Sequence, residues 1–201
     1  MYKLYDFLPS GNGYKVRLLL TQLQIPFELI QLNILKKETR TPEFLAKNPN
    51  GKIPLLEIEP NKCIFESNAI LYYLSQNTKY FTQDKYHQSK VMQWLFFEQY
   101  SHEPNIAPPR YWISVLQQPE QHKEQIKQKQ NLGYAALNVM ENHLKKHNFF
   151  VANKYTIADI GLYAYTHVAK EGGFNLSKFP AILAWFKRIQ SQPRHILITD
   201  Y

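Results

Sequence analysis

Residues 48–74, NPNGKIPLLEIEPNKCIFESNAILYYL, constrain the fold more than any other stretch of the chain. Lys52-Ile53-Pro54 opens an apolar run, Leu55-Leu56-Glu57-Ile58, whose length and flanking Gly and Pro mark a short strand. A second short strand is predicted over 62–65, and Glu66-Ser67 then stands at the mouth of an amphipathic helix. So tight a strand–strand–helix unit gathers free backbone groups, a carboxylate and a helix N-terminus. Those groups suit a small molecule that carries both an amine and carboxylates.

Upstream of this unit the pattern alternates. Residues 2–7, YKLYDF, read as a strand, and Pro9-Ser10-Gly11-Asn12-Gly13 breaks it. A helix is expected over 14–24, with Val16, Leu19, Leu20 and Leu23 on one face. Ile25-Pro26 ends it, 27–32 reads as a second strand, and 33–41 as a polar loop. Thr41-Pro42-Glu43 starts a short helix through residue 47, with Pro at its first position. The order over residues 1–78 is therefore βαβαββα, an α/β domain.

From residue 86 to 201 the pattern is helical only, after a stretch at 77–86 with no strong period that reads as a linker. Helices are expected over about 86–116, 121–147, 156–169 and 180–191, the first kinked or interrupted by Pro104, Pro108 and Pro109. Thr156 and Asp159 have the capping-box spacing, and Tyr155 with Ile160 the spacing of a hydrophobic staple. The helix they open, IADIGLYAYTHVA, is almost wholly apolar and is expected at the centre of an all-α domain. Asp159 is thus read as a folding residue and not as a catalytic acid.

Composition narrows the function classes. A chain of 201 residues with 44% hydrophobic and 20% charged residues can bury a substantial core. No apolar run is long enough to span a bilayer, and MYKLYDFLPS lacks the layout of a signal peptide, so no membrane role is expected and the cytoplasm is the default compartment. Cys63 is the only cysteine, which excludes an internal disulfide and any CxxC site. His143 and His147 have a metal-compatible spacing but stand among Asn142, Lys145, Lys146 and Asn148, which read as a solvated face, so no metal is expected. The net charge of +8 is spread along the chain, with no basic block longer than two residues. Nucleic-acid binding is therefore not expected, although a diffuse positive field favours approach of an anionic small substrate.

Several motifs together carry a resemblance: SGNGYKV after the first strand, TPEFLAKNPNGKIPLLE, FESNAILYYL, YTIADIGLY and FPAILAWFKRIQSQP. In this order and over its full length the chain resembles cytosolic glutathione S-transferases, of the bacterial theta/nu-like type. The resemblance implies a thioredoxin-like N-terminal domain, 1–78, an all-helical C-terminal domain, 86–201, and a homodimer. It implies a cis peptide at Ile53-Pro54, with the Ile53 backbone pairing to the cysteinyl unit of glutathione. Glu66 and Ser67 resemble the pair that holds the γ-glutamyl end, Glu66 through the ammonium and Ser67 through the carboxylate. Ser67 equally suits an N-cap. Lys52, Lys36, Lys37 and Arg40 are candidates for the glycyl carboxylate.

Ser10 matches the family position that donates a hydrogen bond to the glutathione sulfur, which favours the thiolate. It also fits a Pro-Ser-Gly turn. Asn12 matches the Ser/Thr-x-Asn pattern of the nu-like type. Tyr5 and Tyr14 are misplaced for tyrosine-type activation, and Cys63 reads as a small hydrophobe. Leu8, Arg110 and Tyr111 are weaker candidates for the acceptor pocket. Glu98 or Glu103 is a candidate to reach the neighbouring subunit's ligand. The implied activity is conjugation of glutathione to electrophilic small molecules, a detoxification chemistry. A glutathione-dependent disulfide reductase or peroxidase, and a non-catalytic interaction module, are the alternatives.

Overall fold

Strand–helix alternation over the first 76 residues closes into one mixed sheet in the computed structural model, which describes residues 1–201. The strands are β1 (Tyr2–Asp6), β2 (Phe27–Gln31), β3 (Leu55–Glu59) and β4 (Lys62–Phe65), in the spatial order β2-β1-β3-β4. β1 runs parallel to β2, with Leu4 opposite Leu29. It runs antiparallel to β3, with Leu4 opposite Leu56. β3 and β4 form an antiparallel pair. Helices α1 (Gly11–Leu23), α2 (Pro42–Lys47) and α3 (Ser67–Ser75) complete the predicted βαβαββα order. This is the thioredoxin-like architecture.

Local chemistry explains where these elements start. Thr41 caps α2 by accepting from the Phe44 N–H at 3.2 Å, and Pro42 opens the helix. The predicted polar loop at 33–41 winds into two 3₁₀ turns, Ile34–Lys36 and Glu38–Arg40, the first capped by Asn33 Oδ1, which accepts from the Leu35 and Lys36 N–H groups. Helix α1 begins three residues before its expected start. The Gly-Asn-Gly run is its first turn, and Ser10, in extended conformation, is its N-cap. α1 is also buried well beyond one stripe, Lys15 and Arg17 included.

One reason for that burial lies at the other end of the chain. Residues 193–201 join the first structural unit, together with 1–76, whereas the sequence reading assigned 86–201 to the helical domain. The tail lies along α1. The Tyr14 hydroxyl donates to the Ile196 carbonyl at 2.8 Å, and Arg17 donates to the carbonyls of Ile198, at 3.0 Å, and Asp200.

The second unit, 77–192, is all-helical. It also contains the stretch read as a linker, because Tyr80 and Phe81 are buried and the Tyr80 carbonyl accepts from the Ile157 N–H at 3.0 Å. The expected helix over 86–116 is α4 (Lys85–Phe97), a π turn (Glu98–His102), α5 (Glu103–Arg110) and a second π turn (Tyr111–Val115). Pro104 sits in the first turn of α5, where its missing N–H costs least, while Pro108 and Pro109 lie inside the helix. The π turns flank these prolines, where the regular hydrogen-bond ladder changes register.

Helix α7 (Ile157–Thr166), every residue of which is buried, packs against α4, α5 and, through Tyr163, the Trp185 and Phe186 rings of α8 (Pro180–Gln190), while α6 (Lys123–Leu144) packs against α5 and α8. The N-terminus of α8 is satisfied from α6, where Glu141 accepts from the Ala181 and Ile182 N–H groups at 3.1 and 3.0 Å. Thr156 and Asp159 form the expected capping box. The Asp159 carboxylate does more than cap. It also accepts from the Phe150 N–H at 3.2 Å and from the Trp185 indole at 3.0 Å, with both Asp159 and Trp185 fully buried. No helix is long and apolar enough to cross a membrane.

Asp159→Ala leaves these buried donors without their acceptor and lowers unfolding free energy by about 2–4 kcal/mol, read from denaturant midpoints. Burial pushes the Asp159 carboxyl up to about 6, against roughly 3.9 in an unfolded chain. Between these values the folded protein keeps a proton that the unfolded chain has released. This group's contribution to stability is therefore full below about pH 4 and falls as pH rises through about 6. The stability difference between wild type and Asp159→Asn should shrink across that window; a constant difference would refute the assignment.

Candidate functional site

The turn after β1 is built on a buried carboxylate. Asp6 accepts from the Phe7 N–H at 2.7 Å and pairs with the Arg17 guanidinium at 2.9 Å, both side chains having no exposed surface. Burial pushes the Asp6 carboxyl up to about 6, against the opposing pull of the Arg17 charge. Arg17 also donates to the Leu8 carbonyl at 2.7 Å. The turn therefore hangs from the ion pair at both Phe7 and Leu8. The Asp6 carboxylate in turn needs Gly13: a Cβ there would lie 1.6 Å from Oδ1.

Ser10 closes this turn. Its N–H donates to the Phe7 carbonyl at 2.7 Å, and its Oγ accepts from the Gly13 N–H at 3.3 Å. Both readings of Ser10 are thus compatible. Capping uses the oxygen as acceptor, and the hydroxyl proton stays available for donation. Asn12, half-buried in the first turn of α1, reaches across to α3, its Oδ1 accepting from the Ser67 hydroxyl at 3.2 Å.

At the mouth of α3 the N-cap residue is Glu66, not Ser67. Glu66 is exposed and has φ 69°, a left-handed conformation that costs a non-glycine residue about 1–3 kcal/mol. Ser67 is the first helical residue and is buried, so its hydroxyl serves the protein's own network while the helix still presents its N-terminal amides. Lys15, also fully buried, donates to Ser67 Oγ at 3.2 Å and to Asn68 Oδ1 at 3.4 Å. Sequence reading missed Lys15. The signal was present in its spacing, three residues past Asn12 on the same helical face.

The Ile53–Pro54 peptide is cis. Asn48, buried and also missed, shapes the approach to it. Its amide donates to the Lys52 carbonyl at 2.7 Å, and its Oδ1 accepts from the Asn50 N–H at 3.0 Å. Lys52 itself is exposed, as are Lys36 and Lys37. Among the loop cations, Arg40 is held against this turn. It donates to the Asn50 carbonyl at 3.1 Å and crowds Gly51, whose φ is +63°.

The remaining residues divide clearly. Tyr5 donates to Glu57 at 2.7 Å, and Tyr14 is buried against the tail, so each hydroxyl is engaged within the fold. Burial, reinforced by the Glu57 charge, pushes the Cys63 thiol up, away from the thiolate form. In the second unit Arg110 pairs with Glu171 at 2.7 Å, and only 8% of its side chain is exposed. Glu98 is fully buried, and Glu103, Leu8 and Tyr111 are half-buried. His143 and His147 stack with ring centroids 4.5 Å apart, and no group of three or more His, Cys, Asp or Glu side chains is placed to hold a metal.

Residues 1–76 match the family model for the glutathione S-transferase N-terminal domain, and residues 90–193 match that for the C-terminal domain. The chain is similar to a crystal structure of a glutathione S-transferase from Pseudomonas fluorescens. That likeness has a TM-score of 0.97 and 48% identity, covering 99% of each chain. Glutathione S-transferase 1 of Schizosaccharomyces pombe is 32% identical over 96% of this chain and 92% of its own. The disulfide-bond oxidoreductase YfcG of Escherichia coli is 28% identical with the same coverage.

Gly13→Ala should displace Asp6 and separate it from Arg17, lowering stability by about 3–5 kcal/mol, the cost typical of breaking a buried ion pair. Urea denaturation of variant and wild type measures this. A variant as stable as wild type would show that the turn does not depend on the close approach.

Proposed function

The chain belongs to the glutathione S-transferase family, and we propose that it transfers glutathione to electrophilic small molecules, as a member of the bacterial theta/nu-like type. The observation that carries this reading is the Asn12–Ser67 hydrogen bond at 3.2 Å. It ties the loop that would activate the thiol to the helix mouth that would hold the other end of the peptide.

In this reading the Ser10 hydroxyl donates to the sulfur, and the Asn12 amide adds a second donor, so the thiolate is favoured over the thiol. The Ile53 backbone, ahead of Pro54, pairs with the cysteinyl unit. Glu66 meets the ligand ammonium, and the N-terminal amides of α3 at Ser67 meet the γ-glutamyl carboxylate. Arg40, placed against the Asn50–Gly51 turn, joins Lys52 and Lys37 as the source of positive charge for the glycyl carboxylate. The bound sulfur forms a bond to the electrophilic carbon, and the displaced group leaves with its bonding pair. Leu8 and Tyr111 are proposed acceptor-side contacts. A homodimer in the cytoplasm is part of the same proposal.

A second reading is reduction of disulfides by bound glutathione. It is favoured by Asn12 and by the name of the E. coli relative. There the thiolate attacks a disulfide sulfur and expels a thiolate, and a second glutathione completes the reduction. Because burial raises the Cys63 thiol, neither reading uses an enzyme cysteine.

Paired assays with glutathione, one with an aryl halide and one with a mixed disulfide or hydroperoxide, separate these readings. Turnover confined to the second arm would overturn conjugation. Absence of glutathione binding and of turnover in both arms would leave the interaction-module reading. Ser10→Ala should lower kcat/KM about 10- to 100-fold, the loss of one hydrogen bond to a charged group. It should also cost about 1 kcal/mol of stability through the lost cap. Unchanged turnover would remove Ser10 from the chemistry.

A further inference from the structure

We propose that Lys15 is a positioning residue whose buried charge acts on the glutathione sulfur through a directed chain, Lys15 to Ser67 to Asn12. The inference rests on the glutathione-site reading above and adds to it a residue that does not touch the ligand.

The direction of the chain follows from donor chemistry. An ammonium can only donate, so Ser67 Oγ must accept from Lys15 at 3.2 Å. With its oxygen so engaged, the Ser67 hydroxyl points its proton at Asn12 Oδ1, 3.2 Å away. That contact fixes which end of the Asn12 amide faces inward. Its carbonyl oxygen is held by Ser67, and its NH₂ group is turned to the opposite side as a donor. Reversing the Asn12 amide would take its oxygen away from the Ser67 proton and leave that hydroxyl without Asn12 as its acceptor.

Each link points its positive end the same way, from the Lys15 ammonium outward to the Asn12 N–H bonds. In a buried, low-dielectric setting such aligned hydrogen bonds polarise one another. Lys15 has no exposed surface and Ser67 is 4% exposed, so water screens the chain little. The charge makes Asn12 a stronger donor than an isolated amide, and a stronger donor to sulfur favours its thiolate. Lys15 also donates to Asn68 Oδ1 at 3.4 Å, which holds the ammonium against α3 and limits its drift from Ser67.

The thiol pKa of bound glutathione, followed by thiolate absorbance across pH, tests this. A role in folding alone would not move that pKa in a variant that folds and binds. Lys15→Met should raise it by about one unit, with a matching shift of the pH–rate profile and a much smaller change in glutathione Kd. Lys15→Arg should restore most of the shift. Ser67→Ala, which cuts the chain without removing the charge, should raise the pKa in the same direction and decides the matter if Lys15→Met does not fold. A bound-thiol pKa equal to wild type in Lys15→Met, or in Ser67→Ala alone where the methionine variant does not fold, overturns the relay. If wild type itself binds no glutathione, the site reading fails first, and the relay falls with it.

Discussion

The buried ion pair between Asp6 and Arg17 is the contact on which the first unit depends. It stands at the end of the central strand, under the first turn of α1, and both charges are removed from water. Such a pair adds little net stability over an apolar replacement, yet losing one partner leaves a buried charge uncompensated. Its value here is geometric. Asp6 holds the Phe7 amide, and Arg17 holds the Leu8 carbonyl and two carbonyls of the C-terminal tail. The end of β1, helix α1 and the C-terminal tail are thereby pinned to one point, and Ser10 is set at the head of α1.

From that point the site is assembled by polar contacts between neighbouring elements. Asn12 and Lys15 project from α1 to the first residues of α3, and Asn48 holds the peptide before Ile53. Glu66 accepts an unfavourable backbone conformation where β4 passes into α3. A strained, exposed, charged residue at a helix mouth fits a place kept for binding. By contrast Asp159, equally acidic and fully buried, meets donors from its own unit alone, and its chemistry is used up in folding.

Much of this was legible in the chain. Short-range signals carried the strands, the α2 start at Thr41-Pro42 and the Thr156–Asp159 box, because each depends on residues a few positions apart. Period also marked where alternation gives way to helix. What escaped depends on partners far away in sequence. Tyr80 and Phe81 look like linker residues until Ile157 and the core around them are present. Gly13 reads as a breaker until Asp6 lies beneath it. Lys15 reads as one more surface charge until Ser67, 52 residues on, supplies its acceptor. Arg110 likewise finds Glu171, 61 residues on, a partner that nothing near it in the sequence announces.

The tail that lies along α1 bears on how the protein is made. A ribosome delivers Arg17 well before Ile198, an interval of roughly 9–36 s at about 5–20 residues per second. Once residue 76 has been made, the first unit has all its strands and binding motifs but still lacks the carbonyls that Arg17 and Tyr14 take from the tail. The helical unit is synthesised in between. Of the two units, the one begun earlier is completed later, and its polar framework closes only on a chain that has been translated through residue 200.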